Sequence, residues 1–188
     1  MGLGSTYHGT LAPHHGSVAH FPTEFIYSYD FDENGALFFL GTMGKRKPWI
    51  NPHTLGQVAV FASSIGSGKL EDFVGRTTVN CRTLNEPFSH MGVDLGEGRV
   101  LRPTCYSLKN RNATSHVLMN WHLEASEDKI NWVILDRRIY KADNPTYNNE
   151  LLHEQAQLKM KGATSTWGVD PDVYKEVGEG GFRYFRLV

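Results

Sequence analysis

The feature of this sequence that most constrains its fold is an alternation of apolar and polar residues between positions 99 and 140. The apolar members are Tyr106 and Leu108 in the first half, and Trp121, Leu123 and Ala125 in the second half. A period of two residues is typical of a strand with one buried face. The stretch therefore predicts three consecutive antiparallel strands, with Trp121 in the core. These strands are expected near residues 103–109, 117–125 and 131–139.

Further short strand patterns, separated by turn signals, occur on both sides of that stretch. They lie near residues 25–29, 58–63, 91–96 and 182–188. Several short strands with little helix favour an all-β class, either a β-sandwich or a jelly roll.

The length and composition predict one folded domain after an N-terminal arm. The chain has 188 residues, of which 40% are hydrophobic and 12% are aromatic. A domain of about 150 residues buries roughly 70% of its unfolded surface, so it needs no disulfide or metal to fold. Residues 1–23 are rich in glycine, proline and histidine, and apolar burial cannot offset the ordering entropy of such a segment. We therefore expect a flexible arm at 1–23 and a β-sandwich domain at 24–188.

Charge, hydropathy and cysteine content exclude several function classes. The formal net charge is −1, which argues against a nucleic-acid binder that neutralises phosphates. There is no run of about 18 apolar residues that predicts a membrane span. Cys81 and Cys105 are too few for a disulfide framework, and no secretory signal is visible. We expect reduced thiols in the cytoplasm or nucleus, with a single bridge as the alternative.

Three segments have a partial similarity to metal or phosphate sites. The histidines of the arm lack the supporting structure that a metal site needs. Asp32 and Glu33 are not followed by the glutamate that completes a calcium-binding loop, so a turn is expected there. Gly68 and Lys69 precede Leu70, whereas a phosphate loop requires Ser or Thr at that position. We expect neither a metal nor a cofactor.

A run of three adjacent cations, Lys45, Arg46 and Lys47, has two interpretations. Such a run either meets an acidic partner or forms a solvated loop, and the solvated loop is the commoner case. Trp49 follows the run, close to prolines on both sides. It is expected either to anchor this loop against the sandwich or to stack on a ligand.

The sequence gives little support for catalysis. Ser89 and His90 are adjacent on a predicted strand, so their side chains point to opposite faces and cannot form a nucleophile–base pair. A pairing of Cys81 or Cys105 with a histidine stays open, although nothing in the sequence indicates a lowered thiol pKa. We therefore expect that the chain is not an enzyme.

Three segments together resemble the discoidin (coagulation factor 5/8 type C) family. They are residues 88–96, which end in Val-Asp-Leu-Gly, residues 120–132, which carry two tryptophans around Leu-Glu-Ala-Ser, and the late strand at 182–188. The resemblance covers about Val58 to Val188 and implies a galactose-binding-like jelly-roll β-sandwich. Residues 103–109, with 32–35 and 48–52 before them, are most similar to intracellular members, found in BTB proteins, HECT-type ubiquitin ligases and the anaphase-promoting-complex Doc subunit.

Two departures from that family carry expectations of their own. A discoidin domain normally continues past the segment that ends here at Val188 into one more strand, so Phe25 to Tyr29 or a strand of a partner is expected to cover the open edge. The terminal cysteine pair of extracellular members is missing from the sequence, which favours an intracellular setting.

The resemblance implies a non-catalytic recognition module that binds a protein partner through loops at one end of the sandwich. A ubiquitin ligase or another multi-subunit assembly is the expected setting. The matching candidates are Trp49, Asn51, Arg76, Arg82, Asn110, Arg111 and Asn112. Tryptophan and arginine are the usual anchors of such interfaces. For Arg76 and Arg82, ion pairs with nearby carboxylates are the structural alternative. These carboxylates are Glu71, Asp72 and Glu86.

A carbohydrate-binding, lectin-like domain is the alternative function. Sugar sites combine an aromatic platform with amide and guanidinium groups, and Trp49, Asn51, Asn85 and Arg111 offer those groups. An intracellular setting makes a small carbohydrate the less favoured ligand.

Overall fold

The computed structural model describes residues 4–13, 23–111, 118, 120–139, 158, 162–178 and 180–188. In chain order its strands are β1 (Gly4–Pro13), β2 (Thr23–Phe25), β3 (Ala59–Ala62), β4 (Met91–Asp94), β5 (Arg99–Lys109), β6 (Trp121–Ser126), β7 (Val133–Arg138), β8 (Thr164–Gly168) and β9 (Tyr184–Leu187). The helical segments are α1 (Ala36–Gly41), a 3-10 helix (Leu70–Val74) and α2 (Val173–Val177). None of the described helices has the length and apolar character of a membrane span.

The strands form two sheets that pack face to face. Sheet I has the strand order β2-β1-β5-β8, and sheet II has the order β3-β4-β9-β6-β7. Each of the strand pairings is antiparallel. The prediction of an all-β sandwich is therefore confirmed.

The core lies between the sheets and is centred on Trp121 of β6, which is 2% exposed. Its Nε1 donates a hydrogen bond of 2.9 Å to the hydroxyl of Tyr106 in β5, and its ring meets that of Trp167 in β8 edge-to-face, with centroids 5.0 Å apart. Tyr106 donates in turn to Asp136 of β7 at 2.6 Å. These contacts join the two sheets, and Leu123 is buried on the same face as Trp121, as the alternation predicts.

The order of strands corrects one prediction. β6 and β7 pair in sheet II, as expected of consecutive antiparallel strands. β5 lies instead in sheet I, between β1 and β8. The prediction of three consecutive antiparallel strands is therefore right for the second and third strands and wrong for the first, because the chain crosses between sheets after β5.

A bulge in the pairing of β5 with β1 changes the alternation within β5. The register shifts between His8 and Gly9, which leaves Thr104 as an extra residue in β5. The backbones approach closely there, since a Cβ on Gly9 would lie 2.0 Å from the carbonyl oxygen of Arg102. Because an extra residue reverses which positions face inward, the odd-numbered Leu101 and Pro103 are buried before the bulge, whereas the even-numbered Tyr106 and Leu108 are buried after it.

The flexible arm expected at residues 1–23 needs correction for residues 4–13. These residues form β1, which pairs with β5 along its length and with β2 on its other side. Tyr7 of β1 is fully buried, and its ring centroid lies 5.3 Å from that of Phe185 in sheet II. Backbone pairing and one buried aromatic ring outweigh a composition that is poor in apolar residues. Residues 1–3 and 14–22 lie outside the described residues.

The open edge expected beside the segment ending at Val188 is not found there. β9 lies within sheet II and pairs with β4 on one side and β6 on the other. Thr23–Phe25 forms β2 at the edge of sheet I, where it pairs with β1. The expectation that Phe25 to Tyr29 covers the edge left by that last segment is therefore wrong.

Candidate functional site

The candidate site is built from the two loops that flank α1. Ala36, Leu37 and Leu40 of α1 are buried, so the helix is packed against the core. The loops before it, residues 26–35, and after it, residues 42–50, carry mostly exposed side chains. We call the exposed side chains of these two segments the α1 loop surface.

The loop before α1 is shaped by a buried carboxylate. Asp32 is fully buried, and its carboxylate accepts the backbone N–H groups of Ser28 at 2.8 Å and Asn34 at 2.9 Å. The expected turn is confirmed, because these bonds are those of a side chain that closes a turn. Among the described residues, no group of three or more His, Cys, Asp and Glu side chains is arranged to hold a metal ion.

Arg76 fixes the same loop from the side of the 3-10 helix. Its guanidinium donates to the carbonyl oxygens of Phe31 at 2.7 Å and Asp32 at 3.1 Å. It also lies over the Phe31 and Phe38 rings, 4.9 and 5.0 Å from their centroids. Burial lowers the pKa of Arg76, and the charges of Glu33 and Asp32 oppose that shift. Arg76 therefore supports the loop surface through carbonyls and rings.

The loop after α1 is held in an unusual backbone conformation. Met43 and Lys45 have φ angles of 51° and 63°, in the left-handed region that side-chain-bearing residues seldom adopt. The Thr42 hydroxyl stabilises this turn, since it donates to the Phe38 carbonyl at 2.9 Å and accepts the N–H of Lys45 at 3.0 Å. The position of Lys45 is thus set by its backbone.

Trp49 and Asn51 lie where this second loop returns to the sandwich. Trp49 is half-buried against α1, and a Cβ on Gly41 would come within 2.6 Å of its Nε1. Asn51 donates to the carbonyl of Glu71 at 2.8 Å and accepts the N–H of His53 at 2.9 Å. Trp49 presents a partly open ring, whereas the amide of Asn51 is used inside the fold.

The remaining predicted site residues lie in other loops. Arg82 donates to the Thr83 carbonyl at 3.3 Å, and its backbone pairs with Ser67. Asn110 and Arg111 are 2% and 6% exposed, and Asn110 donates to the Leu158 carbonyl. The guanidinium that the carbohydrate alternative requires is therefore buried. Asn112 lies outside the described residues.

Two open hollows of about 420 Å³ each lie on the α1 loop surface. The first runs beside β2 and is bordered by Ile26 and Phe39, and the second is bordered by Lys47 and Trp49. Lys45 and Asn34 line both hollows, and the Lys45 Nζ lies 3.2 Å from the Asn34 Oδ1. The hollows are therefore neighbours that share the Lys45–Asn34 contact as a wall, and we call the two together the α1 channel.

Sequence reasoning missed the exposed apolar side chains on this surface, of which Ile26 and Tyr29 are the most exposed. Ile26 is 69% exposed and Tyr29 is 61% exposed. Both belong to a segment that reads as a strand by its apolar content, so its exposure was not visible in the sequence. The signal that pointed here was the cation run, whose Lys45 and Lys47 line the channel.

The pKa values of the two thiols argue against a catalytic pairing of a cysteine with a histidine. Burial raises the pKa of the Cys81 thiol to about 11, and burial does the same for Cys105. The Cys81 Sγ lies 3.3 Å from the carbonyl oxygen of Lys69, and both cysteines are free. A thiol with a raised pKa carries little thiolate at neutral pH, and the thiolate is the nucleophile.

Comparison with known proteins places the chain beside two ubiquitin ligases. It is 32% identical over 154 residues to the E3 ubiquitin-protein ligase Ufd4 of Drosophila melanogaster, a match over 79% of this chain. It is 34% identical over 165 residues to the E3 ubiquitin-protein ligase hecd-1 of Caenorhabditis elegans, a match over 84% of this chain. The chain spans about 5% of the length of each of these relatives. Neither a family model nor a solved structure matches it.

Proposed function

We propose that this chain is a non-catalytic recognition module of an E3 ubiquitin-protein ligase, and that it binds a protein partner through the α1 loop surface. The similarity to segments of two such ligases supports the setting. The observation that carries the proposal is the exposure of Ile26 and Tyr29 beside a channel lined by lysines and Trp49. Aromatic and apolar side chains with cations at their rim are the usual anchors of a protein interface.

The finer family assignment is part of the same proposal. The sandwich is of the discoidin type, as the amino-acid sequence of residues 88–96, 120–132 and 182–188 implies. The residues proposed to contact the partner therefore differ in part from the binding residues predicted from the sequence. Trp49 stays in contact with the partner, while the side chains of Arg76, Asn51 and Asn110 hold loops in place, since their polar groups bond within the fold. Arg111 is buried, and its backbone N–H donates to the Asn110 side-chain oxygen.

A non-catalytic, cofactor-free role inside the cell completes the proposal. The raised pKa of both thiols supports the absence of cysteine chemistry. Their free state fits a reducing compartment, that is, the cytoplasm or nucleus.

The test is affinity capture with the intact chain against two matched double variants. Ile26→Ser/Tyr29→Ser removes the exposed apolar side chains of the α1 loop surface. Leu84→Ser/Ile130→Ser removes side chains of similar exposure, 51% and 80%, from other loops. Proteins captured from a cell lysate are identified by mass spectrometry, and direct binding is then measured with the purified partner. We expect the first variant to lose the partner and the second to keep it.

Two results would contradict the proposal. If Ile26→Ser/Tyr29→Ser keeps the partner and the control variant loses it, the interface lies on another loop. Capture of no protein above the level of a blank resin would count against a recognition module. Thermal melting of each variant shows that it is folded before its binding is compared.

A further inference from the structure

The charges along the α1 channel are distributed unevenly. Lys45 and Lys47 line it, are exposed, and form no ion pair with any described residue. Among the described residues, the Lys45 Nζ donates a hydrogen bond to the neutral amide oxygen of Asn34 at 3.2 Å. Glu33 is exposed and also borders this half, and its charge favours the charged form of the half-buried Arg76 guanidinium. The half of the channel near Trp49 therefore presents two cations and one carboxylate to an incoming group.

The other half of the channel combines apolar side chains with the polar residues Thr23, Ser28, Asn34 and Lys45. Phe25, Ile26 and Phe39 border it beside β2, and the Phe25 and Phe39 rings pack on each other with centroids 5.3 Å apart. Glu24 lies at the same end. An acidic group would be repelled from this end, whereas an apolar side chain would cover Ile26.

The backbone that carries the channel lysines is ordered before any ligand binds. The turn at Thr42 fixes the backbone of Lys45, and the Gly44 N–H donates to the Phe39 carbonyl at 2.8 Å. Arg76 fixes the opposite wall through the Phe31 and Asp32 carbonyls. A site whose backbone is already ordered loses less entropy on binding.

We propose that the α1 channel takes an extended acidic segment of a partner protein. The carboxylates of the segment meet Lys45 and Lys47, and an apolar side chain one or two positions away covers Ile26 and Phe39. The proposal rests on the proposed function and names the chemistry of its partner. Because the two cations are exposed, binding weakens as salt is added.

A designed peptide serves as the probe. Its sequence is Glu-Leu-Glu-Leu-Glu-Leu-Glu with a fluorescein label, and its control has Gln in place of every Glu. Fluorescence anisotropy with the intact chain measures both affinities at two salt concentrations. We expect the glutamate peptide to bind at least about tenfold more tightly, a difference of about 1.4 kcal/mol, and to lose affinity at the higher salt.

Matched charge reversals locate the contact. Lys45→Glu/Lys47→Glu removes the two channel cations, and we expect it to weaken the glutamate peptide about tenfold or more. Lys69→Glu/Lys175→Glu makes the same charge change on exposed lysines that lie near Glu71 and Asp172, at 3.7 and 2.6 Å. We expect that control to bind as the unaltered chain does. Lys47→Glu alone covers the case in which Lys45→Glu fails to fold.

Two outcomes would overturn the proposal. Equal binding of the Glu and Gln peptides would remove the acidic requirement, and equal weakening by both charge reversals would show attraction by net charge alone. Failure here is distinct from failure of the proposed function. If the captured partner is lost by Ile26→Ser/Tyr29→Ser but kept by the channel lysine variant, the recognition module stands and the acidic segment does not.

Discussion

Sheet II and the α1 loop surface differ in whether their positively charged side chains are paired with carboxylates. On sheet II, Arg183 bonds Asp94 through two nitrogens at 2.6 and 2.9 Å. Arg186 bonds Glu124 at 2.7 Å, and its guanidinium lies 3.9 Å from the centroid of the Trp132 ring. On the α1 loop surface, Lys45 and Lys47 pair with no carboxylate of the described residues.

The difference follows from burial. The paired arginines and carboxylates of sheet II are mostly shielded from water, so each charge needs a partner to offset its desolvation. The loop lysines keep their hydration and need none. An unpaired cation there costs no stability and stays available to a ligand. We infer that the sandwich carries the stability of the domain, whereas the loops carry its recognition.

The largest effect is expected at the centre of the sandwich. Trp121→Ala should lower the free energy of unfolding by about 3–5 kcal/mol, because it leaves a cavity and removes the donor to the Tyr106 hydroxyl. For a domain of this size the melting temperature should fall by roughly 10 °C. Trp132→Ala, at a half-buried ring on the outer face, is the comparison and should cost less. A fall of under a few degrees for Trp121→Ala would contradict its assignment to the core.

The second-largest loss of stability is expected at the paired charges of sheet II. Arg186→Ala removes the bond to Glu124 and the contact with Trp132, and we expect a loss of about 1.5–3 kcal/mol, as for hydrogen bonds to charged groups. Urea unfolding measures it. Arg186→Lys keeps the charge but not the planar guanidinium, so it should recover only part of the loss. Full recovery by Lys would mean that charge alone matters at this position.

A fall in pH should weaken the other ion pair of sheet II, between Asp94 and Arg183. Burial raises the pKa of Asp94, but hydrogen bonds from Arg183 and from the Gly96 N–H outweigh it and hold the pKa below its usual range. A carboxyl whose pKa is lowered on folding stabilises the native state above its unfolded pKa, about 3.9. That stability, about 1 kcal/mol, is lost as the pH falls from about 4 through the folded pKa. The difference in unfolding free energy between wild type and Asp94→Asn should therefore shrink below about pH 4, and a constant difference would argue against the pair.

The smallest effect on stability is expected at the loop surface. Lys47→Glu should change the free energy of unfolding by no more than about 0.5 kcal/mol, as for exposed positions without a partner. The same variant should weaken binding of the glutamate peptide. Loss of stability comparable with that of Arg186→Ala would show that Lys47 is part of the structural framework, and would remove the distinction between the two regions.

Of the candidate site, the sequence predicted the residue types more reliably than their roles. The cation run and Trp49 were visible as a pattern, and Lys45, Lys47 and Trp49 do line one hollow. Arg76 was visible only as a charge. Its partners are the carbonyls of Phe31 and Asp32, which are 45 and 44 positions away. Nothing in the local sequence around Arg76 indicates that these carbonyls arrive beside it.

The sequence by itself determined the all-β class, the inward positions Tyr106 and Leu108 of β5, and the inward face of β6. Alternation is a local property, because successive side chains on a strand point to opposite sides. Tertiary structure alone decided which sheet receives β5, that residues 4–13 become a strand, and that a bulge at Thr104 brings Leu101 into the core. Each of these depends on backbone pairing between segments far apart in the chain, and peptide groups pair in the same way whatever side chains they carry.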